Sequence, residues 1–419
     1  MSVKAGWKRT GLYLVCLLLL LAPWGARAEG AAAELTQTCT LSLRGAAEGQ
    51  EALLVDGQLS TACTLTAGDA LIIQSDEAIG TLHLRFCQLD SAFLLVERGW
   101  SGLPRLRFIR TDRIVLNVPL AAGCKQVQLC PLQPELSCCE TAVFGPGALP
   151  AEVPDPGASL DNVDFLLVST HPDDEWVFLG GVYPTYGGER GYAGTVVYMT
   201  LPSWERAHES INGLWIGGVK THPFFLGFPD IRKKAPQQEK DRLKREDVTL
   251  ALVRLYRRIR PLVVVTQDPQ NGEYGHWQHK LSAGAAFDAV QLAADPAYDP
   301  ESAAEYGTWT VMKVYQHFAK GISALVLDVD TPLESYGGRT ALQVANDAFK
   351  AHMTQQKTKY RPGAADRTKG DIRHFGLTWS TVGPDTGADL FEHIPPEALA
   401  AQGPSAPVDA GAGEEGGPK

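Results

Sequence analysis

The stretch His171-Pro172-Asp173-Asp174-Glu175 crowds an imidazole and an adjacent pair of carboxylates into a few residues. It follows the apolar run Phe165-Leu-Leu-Val168, which reads as a buried strand of a parallel sheet. Pro172 breaks the strand, and the acidic pair stands where a helix would start. Open α/β sheets place their ligand sites at the carboxyl ends of strands. A buried cluster of this kind is costly unless a metal or a proton compensates it. The pattern predicts a zinc-like ion held by His171 and Asp174, with Asp173 free for proton transfer.

A second group lies about a hundred residues on, in Asn271-Gly-Glu-Tyr-Gly-His-Trp-Gln-His279. The strand-like run Leu262–Thr266 precedes it, and a helical pattern from His279 to Leu292 follows. A three-residue step on a first helical turn puts His276 and His279 on one face. Three protein ligands with an open fourth position is the catalytic arrangement for zinc. His171, Asp174 and His279 supply three ligands, and His276 is left for chemistry. The bland readings are an acidic helix start for the first motif and two surface histidines for the second. Their joint occurrence, each just after an apolar strand, favours a site.

At these residues the chain resembles the LmbE/PIG-L type of N-acetylglucosaminyl deacetylases, over about residues 165 to 360. That family carries a His-Pro-Asp-Asp-Glu motif after its first strand and a later Gly-His-x-x-His motif. Further pieces fall in order: Arg206-Ala-His-Glu209, Gly217-Gly218, Phe225–Asp230, and Ala345–His352 followed by Met353-Thr354-Gln355. The resemblance implies a Rossmann-like α/β fold, one zinc ion per chain (or another divalent metal) and an N-acetylated amino sugar or glycan as substrate. It implies His171, Asp174 and His279 as metal ligands and Asp173 as the base that activates water. His276 and Tyr274 would stabilise the oxyanion, and Arg206 and Asp230 would bind sugar. The chain departs from the family at Trp277-Gln278, where many relatives have Pro-Asp. Gln278 brings no charge to orient the neighbouring His276, which implies a less basic imidazole.

Two domains fit 419 residues. Residues 1–28 read as a secretory signal: Lys4, Lys8 and Arg9, an apolar run Leu12–Leu21 too short to span a bilayer comfortably, then Ala26-Arg-Ala28. The expectation is a secreted protein with no stable membrane insertion. Removing that segment takes away four basic groups and no acid, so the net charge moves from −10 to about −14. Such acidity argues against nucleic acid or an anionic membrane as partner.

Residues 35–147 read as an all-β sandwich, from short apolar runs such as Leu71–Ile73, Leu82–Leu84, Phe93–Val96 and Val127–Leu129 at near-regular spacing. Its opening resembles a discoidin-type carbohydrate-binding sandwich, with Trp100 and Phe108 as candidate sugar-stacking rings or core residues. Seven cysteines follow the signal, all before residue 140. With export they read as disulfide staples of this domain, not as metal ligands, the odd count leaving at least one thiol free or paired to another molecule. A Pro/Gly-rich linker is expected at 148–162, and the sandwich is expected to be separable from catalysis. The α/β domain then spans 163–396, with a long amphipathic helix from Gln238 to Ile259. Strand–helix alternation implies a mostly parallel sheet with helices on both faces. Residues 400–419 are too poor in large apolar groups to build a core and are expected to be disordered.

Two other functions compete. A metal-dependent phosphoester hydrolase needs more clustered ligands than the chain offers. A secreted glycan-binding protein with an inactive deacetylase-like domain is opposed by the intact His171/Asp174/His279 set and Asp173.

Overall fold

Two segments with different strand patterns build separate cores in the computed structural model, which describes residues 30–99, 103–365 and 370–402. The expected signal segment 1–28, Trp100 and the tail beyond residue 402 lie outside the described residues.

Among the described residues the first segment holds nine strands: β1 (Thr40–Arg44), β2 (Cys63–Thr66), β3 (Ala70–Gln74), β4 (Thr81–Phe86), β5 (Ser91–Gly99), β6 (Arg105–Thr111), β7 (Val115–Pro119), β8 (Cys124–Pro131) and β9 (Glu135–Phe144). They form a five-stranded sheet, β1-β3-β8-β5-β6, and a four-stranded sheet, β2-β9-β4-β7. All their pairings are antiparallel. Alternate residues of both sheets meet in the core, including Leu71, Ile73, Phe93 and Leu95 from one and Leu82, Leu84, Phe86 and Val143 from the other. Phe108 does not join that core; it is 77% exposed on β6. The seven cysteines carry free thiols rather than the expected disulfides.

The second segment begins with β10 (Phe165–Ser169), β11 (Gly194–Thr200), β12 (Phe224–Phe228), β13 (Val263–Thr266) and β14 (Lys313–His317). These five pair in parallel in the order β12-β11-β10-β13-β14. The sheet ends with β15 (Ser323–Val326) and β16 (His374–Ser380), where β16 lies between β14 and β15 and runs antiparallel to both. The sheet is therefore mixed, and most strand pairings among the described residues are antiparallel. The expected parallel layer is limited to its first five strands, because the chain returns late to insert β16.

Residues of the central strands alternate between two helix-covered faces. Leu166, Val168, Val197 and Val264 face α3 (Arg245–Ile259) and α4 (Trp277–Ala294). Phe165, Leu167, Val196 and Val265 face α1 (Asp174–Val177) and α5 (Ala341–Phe349). The long helix expected from Gln238 is broken. A short turn of helix ends at Lys240, and Lys244 is extended before α3 starts with Glu246 and Asp247 in its first turn. That placement of acids suits the helix dipole.

The outward face of the four-stranded sheet does not meet solvent. His83, Arg85 and Thr141 are buried against the second domain. Helix α2 (Trp204–Ile216) lies there, and its Ala207 and Ile211 pack on Ile114 and Val115. Arg85 donates to Asn212 at 2.9 Å, and the Ile114 amide donates to His222 at 3.1 Å. The expected linker is laid along this junction: Arg113 and Asn117 donate to the carbonyls of Pro156 and Pro154. The final helix runs to Gln402, whose amide donates to the Arg260 carbonyl, so order reaches into the first residues of the expected tail. No helix among the described residues is long and apolar enough to cross a membrane.

Candidate active site

Strands β10 and β13 are neighbours, and the sheet order reverses between them: the chain runs outward through β11 and β12, then returns to β13 and β14. A crevice outside the carboxyl ends of such strands is the usual ligand position. Both sequence motifs emerge there. A cavity of about 310 Å³ opens over them, lined by His171, Asp173, Asp174, Arg206, Asp230, Tyr274 and His276 among others.

His171, Asp174 and His279 come together. His171 Nδ1 lies 2.9 Å from Asp174 Oδ2, and His279 Nε2 lies 3.3 Å from both of these atoms. The far side of each ring fixes its tautomer. His171 Nε2 faces Asp230 Oδ1 at 3.5 Å and Gln278 Oε1 at 3.4 Å. His279 Nδ1 faces Glu273 Oε2 at 2.5 Å. Carboxylates and amide oxygens only accept, so those nitrogens carry the ring protons. Once His171 gives up its second proton, two lone pairs and the Asp174 carboxylate converge on one point. Donor atoms about 2.1 Å from a tetrahedral zinc ion stand roughly 3.4 Å apart, near the 2.9–3.3 Å found. The residues present fit the metal, and the Glu273–His279 and Asp230–His171 pairs are the carboxylate supports that metal-bound histidines usually have.

The electrostatics agree. Burial opposes the imidazolium of His171, but Asp174 and Asp230 outweigh it and raise its pKa to about 10. Burial also opposes the Asp174 carboxylate, yet His279 and His171 hold it well below the usual range. The pocket favours a cation. His276 is close by, with its ring 4.9 Å from that of His279 and 5.0 Å from that of His171, near enough for a ring nitrogen to reach the same point. Burial, then the neighbouring His171 and His279, push its pKa down to about 3. Its Nδ1 accepts the Gln278 backbone N–H, so the ring proton sits on Nε2. His276 caps α4 in an extended conformation and is not on its first turn as the spacing predicts.

Asp173 stands beside the ligands with φ of +129°, a region L-residues rarely occupy. Its amide donates to Glu175 Oε2 at 2.8 Å, and Glu175 Oε1 is 3.0 Å from His352 Nε2. Its Oδ1 accepts from Arg206 at 2.8 Å. Burial, then Asp174, raises its pKa to about 7. Arg206 therefore touches Asp173, the Pro172 carbonyl and, at 3.5 Å, Asp230, while still lining the cavity. Asp230 in turn supports His171. Tyr274 lies in a loop where Glu273 has φ of +49°; its ring stacks on Tyr360 at 4.5 Å, and burial followed by Asp174 and Asp173 raises its phenol well above the ordinary value.

Three residues were not assigned roles from sequence. Glu273 lies inside the second motif but reads as a loop acid. Glu175 reads as part of a helix start. His352 lies 177 positions from Glu175 and carries no motif of its own beyond the following Thr-Gln. Gln278 also differs from expectation: its side chain spans His171 Nε2, the Ile231 amide and the Pro229 carbonyl, and only its backbone orients His276.

No family model matches the chain. A 1D-myo-inositol 2-acetamido-2-deoxy-α-D-glucopyranoside deacetylase of Saccharopolyspora erythraea is 31% identical over 276 residues, which is 54% of this chain and 97% of that protein. The chain belongs to the LmbE/PIG-L family of deacetylases. A second deacetylase of the same description, from Catenulispora acidiphila, is 33% identical over 202 residues, 40% of this chain and 61% of that protein. Against that relative and the others most like it, the chain spans about 60% of their length. Among solved structures, an N,N′-diacetylchitobiose deacetylase from Pyrococcus horikoshii is similar at 18% identity and a TM-score of 0.34, covering 46% of this chain and 71% of that one.

Proposed function

We propose that the chain is an exported, zinc-dependent hydrolase that removes the acetyl group from an N-acetylated amino sugar, leaving acetate and a free amine. The observation that carries the reading is the convergence of two lone-pair nitrogens and the Asp174 carboxylate beside a strained, partly protonatable Asp173. The relatives' acetamido-sugar substrate supports the substrate class. The basic, apolar start of the chain supports export.

Zinc held by His171, Asp174 and His279 would lower the pKa of a bound water toward ~7 and polarise the amide oxygen. Asp173 accepts the proton of the attacking water; a carboxyl near neutrality is suited to take and return one. Arg206 and Glu175 hold it in place. His276 is neutral with its proton on Nε2, so it serves the oxyanion as a hydrogen-bond donor. The Tyr274 phenol stays protonated and is a second donor. Loss of one such donor typically costs ~100-fold or more in rate. A neutral His276 is a poor acid, so Asp173 returns its proton to the leaving amine. Arg206 and Asp230 flank the cavity where a sugar's hydroxyls would lie.

The test is incubation of wild type and Asp173→Asn with a panel of N-acetylated sugars and glycans, measuring acetate and amine together. Equimolar acetate and amine from the wild type alone supports the reading. Equal release by both proteins would assign the base elsewhere.

A further inference from the structure

A second convergence of ligands lies outside the active site, where the sandwich meets α2. Cys87 follows β4, and Cys139 occupies a bulge of β9 where Arg85 pairs with Glu140 but Phe86 pairs with Cys138. The two thiols hydrogen-bond each other. A ring nitrogen of His208, on α2, lies within 4.8 Å of both sulfurs, which are themselves within that distance. Cys139 and His208 are fully buried, and Cys87 is half-buried. His208 Nε2 donates to the Phe86 carbonyl at 3.0 Å, which leaves the Nδ1 lone pair; that atom is buried and has no hydrogen-bond partner. A buried, unpaired acceptor is destabilising unless something binds it.

We propose that Cys87, Cys139 and His208 form a second metal site, for a borderline-soft divalent ion such as zinc, that fastens the sandwich to the helix carrying Arg206. Two thiolates and an imidazole are a common zinc donor set, and tetrahedral geometry needs sulfurs about 3.8 Å apart. The three ligand atoms lie within 4.8 Å of one another, in reach of one ion. The carbonyl bond to Nε2 is the support that a metal-bound histidine ordinarily has. The hydrogen bond with Cys87, then burial, raises the Cys139 thiol well above its ordinary value, so a metal ion has to displace its proton; the Arg85 guanidinium, buried and without a carboxylate ion pair among the described residues, is the nearby charge that offsets this. The exposed side of Cys87 is the entry path and leaves a fourth position for water. Because α2 also brings Arg206 to Asp173, the ion would hold the active-site helix against the sandwich.

Cobalt substitution of the full chain, purified with reduced thiols, tests this without reference to turnover. Thiolate ligation gives a near-ultraviolet charge-transfer band that a site of histidine and aspartate lacks. The expected result is that band, with about two metal ions per chain. Asp174→Ala should lose one ion and keep the band. Cys139→Ser and, independently, His208→Ala should lose the other ion, and Cys139→Ser should weaken the band. Absence of the band in cobalt-loaded wild type, or purification of Cys87 and Cys139 as a disulfide, would overturn the proposal.

Discussion

Asp173 is held in a backbone region that costs about 1–3 kcal/mol for an L-residue, with φ of +129°. Glu175, Arg206 and the turn into α1 over-determine it. Asparagine keeps the shape but cannot take a proton. Asp173→Asn should therefore retain metal while kcat falls ~100-fold or more, checked by acetate release and elemental analysis on one preparation. Glu273 makes a different kind of contribution. It accepts the proton of His279 Nδ1 and also lies 3.1 Å from His317 Nδ1, so it orients a ligand without touching the metal. Glu273→Gln should weaken metal affinity ~10–100-fold, read by competition with a chelator, with activity restored at saturating metal. The ligands and base are legible in the sequence because they sit in two short motifs after strands. Their supports are less so: Glu175 and Glu273 sit inside the motifs and Asp230 is marked only as a sugar binder, but which ligand or base each one holds, and the part played by His352, is set by folding.

At the scale of elements, the site depends on α1 and α2 lying close together. Trp176 of α1 is fully buried, and a Cβ on Gly217, the C-cap of α2, would sit 2.0 Å from its ring. An indole cannot retreat within a filled core. Gly217→Ala should destabilise by about 1–3 kcal/mol, seen as a lower denaturation midpoint, and should reduce turnover by shifting Arg206. The apolar runs of β10, β11 and β13 announce themselves as buried strands. Other elements do not. Strand β9 contains Ser-Cys-Cys-Glu-Thr, too few large apolar groups to read as the long central strand it becomes. The antiparallel place of β16 is set by distant contacts, including Lys313, which is buried against Asp385 at 2.6 Å and two carbonyls of the closing segment.

Across the whole molecule, the decisive surface is the junction between the sandwich and α2. Sequence alone points to a separable module, because cysteine use and strand pattern change across a Pro/Gly-rich linker and nothing marks the sheet face carrying His83 and Arg85 as a contact. In the folded chain that face is covered. A chain starting near Asp161 would bare Ala207, Ile211 and His208, so it should be less stable than the full chain and prone to aggregate, measured by thermal unfolding and light scattering. The junction should also sense acid. Burial, then Arg85, lowers His83 to a pKa of about 4, and burial lowers His222 to about 4. A base whose folded pKa lies below its unfolded value stabilises the fold above about pH 6.5 and loses that contribution as pH falls toward 4. Each fully shifted histidine is worth on the order of 3 kcal/mol. Thermal midpoints should drop between pH 6.5 and 4, and His222→Gln should flatten the profile.

The central claim joins one metal site to one reaction, and a titration reads both together. Wild-type protein stripped by chelation is titrated with zinc while acetate release from an N-acetylated glucosamine derivative is followed. Activity should be absent in the stripped protein and return in proportion to the ion bound at His171, Asp174 and His279; Asp174→Ala should show no recovery. Undiminished acetate release from the stripped protein, or no acetate from any acetamido sugar once that site is filled, would contradict the account.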